Sequence, residues 1–461
     1  MRRIWAVTRQ TFIEILRLRR TAFFLLALMA VILGVPLVVI GGTPKDRVQT
    51  FLVYSMGLAG ALLSLLTILA GCKIICEEQA RRYIFAPLTK PVPRWQYVIG
   101  RWAGLVLFQA VMVIIVGLGV YGTAQVLRSQ VTEPGQRRQL DNQVFAARTR
   151  QVPGSFAEDV EKLSALMMRQ REQNEQLKGL SQEQIDAAWN NARLAAREKL
   201  ENVAPLNRTG WRFTDLPAPV DKDALVEFHF TCRTGKVAAG RGLEGVFIFT
   251  HDPNAADPGA YYRHDATFPT DMDATVFVPA SMIGSDGRMY VEFFNVKPGD
   301  PAGTFQAVLM FSPDELYIIY PIARFEPNFA RLLLLVLILQ IFLASTTLMA
   351  GTWLSFPVAS LVCLTIYGMG FMQHFLAEAT QIRYKAGFWV HLGHYIYGGL
   401  QLVMPNFDLV NTSTVLVDGL VIPWAQVVVA FVAFVGVWTT LSLVIAALVF
   451  TWRELASVIV E

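Results

Sequence analysis

Long apolar runs alternate with polar stretches along the chain, and six of the runs match the length of a membrane-spanning helix. A helix needs about 20 consecutive, mostly apolar residues to cross roughly 30 Å of hydrocarbon. The six runs cover residues 21–42, 51–76, 97–122, 328–350, 353–375 and 424–450. The pattern therefore predicts an all-α, six-helix transmembrane domain, interrupted after its third helix by the polar segment 123–327.

The first 20 residues, which precede these runs, are basic but also carry apolar residues at helical spacing. Seven apolar side chains can share one broad face of a helix, with arginines on the rest: Ile4, Trp5, Val7, Phe12, Ile13, Ile15 and Leu16. Segment 1–20 is therefore predicted to be a cytoplasmic helix lying on the membrane interface. The alternative is a simple basic flank of the first span. No cleavage site of small residues follows the first run, so we expect a retained span rather than a signal peptide.

Lysine and arginine are concentrated on one side of the predicted spans. Six arginines lie in segment 1–20, and five basic residues lie in or just after the loop between the second and third runs: Arg81, Arg82, Lys90, Arg94 and Arg101. The connection between the first and second runs has only Lys45 and Arg47. Because cytoplasmic loops are enriched in basic residues, we expect both termini and the loop 77–96 to be cytoplasmic. Segment 123–327 and the connection 376–423 are then extracytoplasmic.

The first half of segment 123–327 has the pattern of two helices. Capping boxes, in which a serine precedes a glutamate or glutamine by three residues, begin at Ser155 and Ser181. Gly179 and Pro205 mark where the two helices end. The pattern predicts a helical hairpin over 156–203, with helices at 156–178 and 182–203.

The second half, residues 210–322, changes to short apolar or alternating runs separated by Gly, Pro and Asp. Seven such runs predict an antiparallel β-sandwich, with Gly284-Ser-Asp-Gly287 as a hairpin turn. The predicted fold class is thus a six-helix membrane domain plus an extracytoplasmic α+β domain, in which the helical hairpin is followed by the sandwich. Five aspartates between Asp252 and Asp273 offer oxygen ligands for calcium, but aspartate is common in turns and we predict no metal.

The composition fits a membrane protein with one polar domain. Hydrophobic residues make up 54% of the chain, charged residues 16%, and the net charge is only +4, which gives no indication of nucleic-acid binding. The sequence has no phosphate-binding loop and no hydrolase or metalloprotease motif, so we expect neither enzyme activity nor a cofactor in this chain. No acidic residue lies deep in a predicted span, which disfavours an ion-coupled carrier.

Cysteine and histidine spacing also predicts no metal site. Cys72 and Cys76 lie one helical turn apart in a predicted span, where packing is the expected role, and Cys232 is the only cysteine of the polar segment. His391 and His394 are three residues apart, but two histidines without a third ligand make a poor copper site.

The loop between the second and third runs carries more specific chemistry than a turn requires. It reads EEQARRYIFAPLTKPVPRW from Glu77 to Trp95. Acidic residues at the end of a span, a short helix, Lys-Pro-x-x-Arg and then Gly-Arg-x-x-Gly resemble the coupling region of export-class ABC transporter permeases of the ABC-2 type. The matching residues are Glu77, Glu78, Leu88, Lys90, Pro91, Arg94, Gly100, Arg101 and Gly104. Arg101 stands where the family more often has lysine, and Arg81-Arg82 where it often has Gly-Thr.

Other parts of the chain resemble the same family. Segment 1–20 is similar to its connecting helix, Pro405-Asn-Phe-Asp408 resembles a Pro-x-Phe segment before the last span, and 384–405 resembles a partly re-entrant helix. The resemblance covers roughly 1–125 and 328–461, without the polar domain.

The resemblance implies a permease subunit in the bilayer of a bacterial cytoplasmic membrane. ATP and Mg²⁺ would bind a separate ATPase subunit, and a second copy or a related permease would complete the pathway. Together with the charge-assisted contacts that Arg and Glu offer, it assigns ATPase docking to Glu77, Glu78, Arg81, Arg82, Leu88, Lys90, Pro91 and Arg94. It assigns packing at the start of the third span to Gly100, Arg101 and Gly104.

Two alternatives stay open. The chain can be a membrane-anchored receptor or scaffold whose sandwich binds a protein or a glycan. The arginines of the loop can also act only by setting topology and binding anionic headgroups.

Overall fold

The computed structural model describes most of the chain and divides it into two units. The described residues are 2–17, 19–38, 42–80, 93–154, 156–174, 181–216, 225–234, 243–252, 261–296, 308–312, 315–379, 398–399, 405–410, 415 and 419–452. The helical unit comprises residues 1–147 and 323–461, and the sheet unit comprises residues 148–322.

The described helices are, in chain order, α1 (Arg2–Arg17), α2 (Arg19–Val38), α3 (Pro44–Ala80), α4 (Arg94–Ser129), α5 (Pro134–Gln143), α6 (Phe156–Gln173), α7 (Gln182–Glu201), α8 (Phe325–Trp353), α9 (Phe356–Ala379), α10 (Trp424–Ala430) and α11 (Thr440–Trp452). A π-helical segment, Phe431–Thr439, joins α10 to α11 without a break. The described strands are β1 (Ala146–Gln151), β2 (Asn202–Val203), β3 (Arg208–Phe213), β4 (Leu225–Thr234), β5 (Leu243–Thr250), β6 (Tyr261–Phe268), β7 (Asp273–Pro279), β8 (Met289–Phe294), β9 (Leu309–Phe311) and β10 (Tyr317–Arg324).

Six helical stretches of the helical unit are long and apolar enough to span a membrane, as the sequence predicts. They are Thr21–Val38, Pro44–Glu77, Arg94–Ser129, Phe325–Trp353, Phe356–Gln373 and Trp424–Thr451. Three of them, which start at Pro44, Arg94 and Phe325, begin before the predicted apolar runs. α3 begins at Pro44, a residue suited to the first helical turn, and the Thr43 hydroxyl caps it by accepting from the Asp46 N–H at 3.2 Å.

The helical unit places several polar side chains in its interior, where they bond to one another. Gln340 of α8 accepts from the Thr67 hydroxyl of α3 at 2.5 Å and donates to the Ser64 hydroxyl at 3.0 Å. Both amide atoms of Gln340 therefore have partners, as a buried amide in an apolar surrounding requires.

Residues 405–410 form an irregular segment that α9 holds in place. The Gln373 amide donates to the Pro405 carbonyl at 3.1 Å and accepts from the Phe407 N–H at 2.9 Å. The Phe407 ring lies directly over Gly370, where an added Cβ would come within 2.4 Å of it. Of the predicted re-entrant segment 384–405, only residues 398, 399 and 405 are described.

The sheet unit consists of two sheets and a helical hairpin. One sheet has the strand order β1-β10-β4-β9-β2, with β7 also paired to β4, and the other has the order β3-β8-β5-β6. Every pair with a described register is antiparallel. The predicted antiparallel region is thus confirmed, and so is the second capping box, in which Ser181 and Gln184 bond reciprocally at the start of α7. Ser155, the start of the other box, lies outside the described residues.

Aromatic side chains join the two sheets face to face. β4 turns Phe228 and Phe230 inward, and their rings lie 5.4 Å from Phe249 and 4.8 Å from Phe247 of the other sheet. Seven phenylalanines of this core are fully buried: Phe213, Phe228, Phe230, Phe247, Phe249, Phe293 and Phe311. Glu227 and His229 point to the opposite face of β4, because successive side chains of a strand alternate.

Two details of the predicted domain are wrong. A strand, β1, precedes the helical hairpin and pairs with β10, and its sequence AARTRQ escapes hydrophobic pattern analysis because it is mostly polar. The turn Gly284–Gly287 does not close a hairpin, because the strands on either side, β7 and β8, belong to different sheets. Gly287 has a φ of +71°, and an added Cβ would come within 2.5 Å of the Leu216 carbonyl oxygen.

Candidate functional site

The described part of the predicted coupling region is its end, where α4 begins. Arg81, Arg82, Leu88, Lys90 and Pro91 lie outside the described residues, and only the helical backbone is described for Glu78. Glu77 lies in the last turn of α3, where Lys73 pairs with it at 3.4 Å. The remaining four residues, Arg94, Gly100, Arg101 and Gly104, all lie in the first three turns of α4.

Two glycines of α4 bring α1 into close contact. A Cβ added to Gly100 would lie 2.7 Å from the Cβ of Val7, and one added to Gly104 would lie 2.7 Å from the Thr8 carbonyl oxygen. The Thr8 hydroxyl also lies 3.3 Å from the Gly100 carbonyl, to which it donates. The spacing of four residues places both glycines on one helical face, so α1 lies directly against the backbone of α4.

Arg101 fixes the same contact by charge. Its guanidinium donates to the Glu14 carboxylate at 2.7 Å, to the Thr11 hydroxyl at 3.1 Å and to the Tyr97 hydroxyl at 3.0 Å. The Tyr97 ring also lies 5.2 Å from the guanidinium carbon. A buried arginine requires such partners, because an unpaired charge in an apolar interior is very costly.

Arg94 joins α4 to the end of the last helix. Its guanidinium donates to the carbonyls of Phe450 at 3.2 Å and Thr451 at 2.8 Å. These carbonyls belong to the last described turn of α11. The Phe450 ring also stacks on Tyr97 at 6.1 Å.

We call Arg94, Tyr97, Gly100, Arg101 and Gly104 the α4 base. The α4 base binds α1 through two glycines and one ion pair, and it binds the end of α11 through Arg94 and Tyr97. It follows directly on the loop that connects α3 to α4. A displacement of that loop would therefore move the start of α4 together with α1 and the end of α11.

The predicted apolar face of α1 is only partly the face that packs on α4. Ile15 is fully buried, but Trp5 is 61% exposed and Leu16 is 49% exposed. Two residues outside the predicted face, Thr8 and Thr11, are buried instead. Their hydroxyls donate to the carbonyls of Ile4 and Val7, one turn earlier, so a small polar side chain can face the glycines of α4 without an unsatisfied group.

Sequence reasoning missed four residues of this site: Thr8, Thr11, Glu14 and Tyr97. The one available signal was small residues at helical spacing on both helices, Thr8 and Thr11 three apart on one and Gly100 and Gly104 four apart on the other, which allows close helix packing.

Comparison with known proteins identifies no relative: no family model, no curated protein and no solved structure matches this chain. The resemblance to ABC-2 permeases therefore rests on the residues given above, and a function has to be argued from the geometry of the helical unit.

Proposed function

We propose that this chain is the membrane-spanning permease subunit of an ATP-binding-cassette transporter of a bacterial cytoplasmic membrane. A separate ATPase subunit, which binds ATP and Mg²⁺, would dock on the loop 77–96 and supply the energy for moving a substrate. The observation that carries the proposal is the α4 base, which links the residues next to that loop to three helices at once.

The proposed mechanism is mechanical. ATP binding closes the ATPase subunits and displaces the loop, whose prolines restrict its backbone. The α4 base passes the displacement to α4, α1 and α11, and the span helices shift between two arrangements. The chain itself performs no catalysis, and a second copy or a related permease completes the pathway.

The proposed topology places the loop and both termini in the cytoplasm and the sheet unit outside. Single cysteines provide the test, because all four native cysteines are buried. Thr89→Cys should react with a membrane-impermeant maleimide only after the cells are opened. Ser285→Cys, at an exposed position of the sheet unit, should react in spheroplasts. The reverse pattern would contradict the proposal.

The functional test changes the charge of the loop while leaving the α4 base intact. Arg94 is not suitable, because its loss would also release α11. We therefore choose Arg82→Glu with Lys90→Glu, and Lys45→Glu with Arg47→Glu as the control with the same charge change in the connection between α2 and α3. Each variant is co-expressed with a candidate ATPase subunit that carries a phosphate-binding loop, and co-purification and ATP hydrolysis are measured.

The loop variant should insert normally but lose the ATPase and its stimulated hydrolysis, whereas the control should keep both. Equal association and hydrolysis in the two variants would refute the proposal and favour a receptor or scaffold that the spans merely anchor.

A further inference from the structure

A narrow groove runs into the side of the helical unit between α3, α8, α9 and the segment 405–410. Its free volume is about 70 Å³. The walls are formed by Met56, Gly57, Gly60, Ala61, Leu332, Val336, Leu339, Gln340, Tyr367, Phe371, Phe407 and Val410. Nothing in the proposed coupling mechanism uses this groove.

The groove is open beside α3 because two of the four α3 residues that line it are glycines. A Cβ added at Gly57 or at Gly60 would meet no atom within 4 Å. Both glycines lie on the same face as Ala61, as the helical spacing requires. The space beside α3 is therefore open, in contrast to Gly71 of the same helix, where an added Cβ would come within 2.2 Å of Thr347.

The polar groups that line the groove are already bonded inside the protein. Gln340 accepts from Thr67 and donates to Ser64, and the Tyr367 hydroxyl lies close to the Ser64 side chain. An occupant is thus not required to supply a hydrogen bond. The remaining side chains among the described lining residues are apolar, which favours a hydrocarbon occupant over a polar one.

The surface at the mouth of the groove is also apolar. Leu58 beside Gly57, and Phe371 and Met372 of α9, are all exposed. Both helices are long and apolar enough to span a membrane, and the medium that meets such a surface is lipid hydrocarbon. The molecule available at the mouth is therefore the acyl chain of a lipid.

We infer that this groove binds one acyl chain of a bilayer lipid. Its volume is about half that of an engineered cavity of roughly 150 Å³ that binds benzene, so it accommodates a few methylenes of a linear chain rather than a ring system. The bound chain lies against Phe407 and Val410 and supports the segment 405–410. This inference does not depend on ATP-driven transport, and the two can fail separately.

The test uses a phospholipid that carries a photoactivatable diazirine in one acyl chain. The full-length protein is illuminated in vesicles that contain this lipid, and labelled peptides are mapped by mass spectrometry. Label is expected on the peptides of α3 around residues 56–61 and of α9 around 367–371. Gly57→Leu with Gly60→Leu fills the groove and should reduce that label to the level of the rest of the span surface, since no space for the acyl chain then remains beside α3.

The matched control is Gly122→Leu, at another span glycine where an added Cβ meets no atom within 4 Å. It should leave the labelling of α3 and α9 unchanged. Gel filtration and a thermal melt establish that both variants are folded, which the open space at all three glycines favours. A polycyclic sterol with the same diazirine should label these peptides no more than the rest of the span surface.

Equal label in the wild type and in the filled variant would overturn the inference. So would efficient disulfide-linked dimers of Ala61→Cys with no lipid label at the groove, because a second copy of the chain would then be its occupant.

Discussion

The helical unit and the sheet unit each contain a buried arginine that is paired with a glutamate at 2.7 Å. In the helical unit Arg101 pairs with Glu14, and in the sheet unit Arg148 pairs with Glu227. The two arginine side chains are similarly buried, at 3% and 7% exposure, but Glu14 is 43% exposed whereas Glu227 is only 11% exposed. The carboxylate of the first pair is therefore half-exposed, whereas both members of the second pair are buried in the protein.

The neighbours of the two pairs differ accordingly. The partners of Arg101 also include two neutral hydroxyls, those of Thr11 and Tyr97. Glu227 also lies 3.3 Å from the Nε2 of His229, whose Nδ1 lies 3.0 Å from Asp273. The His229 ring stacks on Tyr317 at 4.9 Å. A buried charge whose partner contacts water is stabilised by that contact. An ion pair that is buried at both ends needs a network of further hydrogen bonds.

The strongest test of this comparison breaks the fully buried pair. Glu227→Leu leaves Arg148 buried without its carboxylate and should lower the free energy of unfolding of the sheet unit by about 3–5 kcal/mol. Cys232 reports the unfolding, because burial raises the pKa of its thiol to about 12 and the native thiol is therefore unreactive. The measurement is its labelling rate against urea in a Cys72→Ala, Cys76→Ala, Cys363→Ala background.

The control for this prediction is the double change Arg148→Met with Glu227→Leu. It removes both charges and should recover most of the stability. If the double variant is no more stable than Glu227→Leu, the two residues do not act as a pair.

Breaking the half-exposed pair should have a smaller effect. Glu14→Ala should cost about 1.5–3 kcal/mol, as for a hydrogen bond to a charged group, because Glu14 already contacts water and Arg101 keeps two hydroxyl partners. The measurement is trypsin cleavage after Arg9 and Arg17 of α1, which should become faster. Glu14→Gln keeps an acceptor oxygen and should lie in between. A loss as large as that of Glu227→Leu would refute the comparison.

The glycine contact of the α4 base predicts a loss of similar or smaller size. Gly104→Ala places a methyl group against the Thr8 carbonyl, so α1 must shift, which should cost about 1–3 kcal/mol. Gly122→Ala, in open space on the same helix, should instead stabilise by up to about 1 kcal/mol. Thermal unfolding of the purified protein compares the two. Equal effects would show that α1 does not press on Gly104.

Two buried glutamines of the helical unit differ in whether their side-chain amides are hydrogen-bonded. Both amide atoms of Gln340 are bonded, whereas the amide atoms of Gln109 have no partner among the described residues. Gln109→Leu should therefore stabilise the protein by about 1 kcal/mol, and Gln340→Leu should destabilise it by about as much, since Thr67 and Ser64 lose their partner. The measurement is the midpoint of thermal unfolding of the two variants. If Gln109→Leu destabilised the protein, the amide of Gln109 would have to be hydrogen-bonded in solution.

Some of this architecture is readable from the sequence and some is not, for a physical reason. The six span helices follow from the length of apolar runs, and β4, β5 and β7 follow from short runs with an alternating pattern. The strand β1 cannot be predicted from the local pattern, because its buried Arg148 pairs with Glu227, which lies 79 residues away in the chain. Part of the α4 base cannot be predicted for the same reason, since Arg101 and its partner Glu14 are 87 residues apart in the chain. Periodicity reports which face is apolar, but not which polar residue will find a partner across the fold.

The smallest effect is expected for an ion pair that is exposed at both ends. Arg193 of α7 donates to both carboxylate oxygens of Glu161 of α6, at 3.0 and 3.1 Å, and this holds the pKa of Glu161 below its ordinary value. A depressed pKa means that the pair stabilises the folded hairpin above the unfolded pKa of glutamate, and that this contribution is lost as the pH falls through the folded pKa. The protection factors of the α6 and α7 amides, which correct hydrogen exchange for its intrinsic dependence on pH, should fall slightly on acidification in the wild type. In Arg193→Gln that pH dependence should diminish. Because both groups contact water, the whole difference should be small and should vanish in high salt, unlike the effect of removing Glu227.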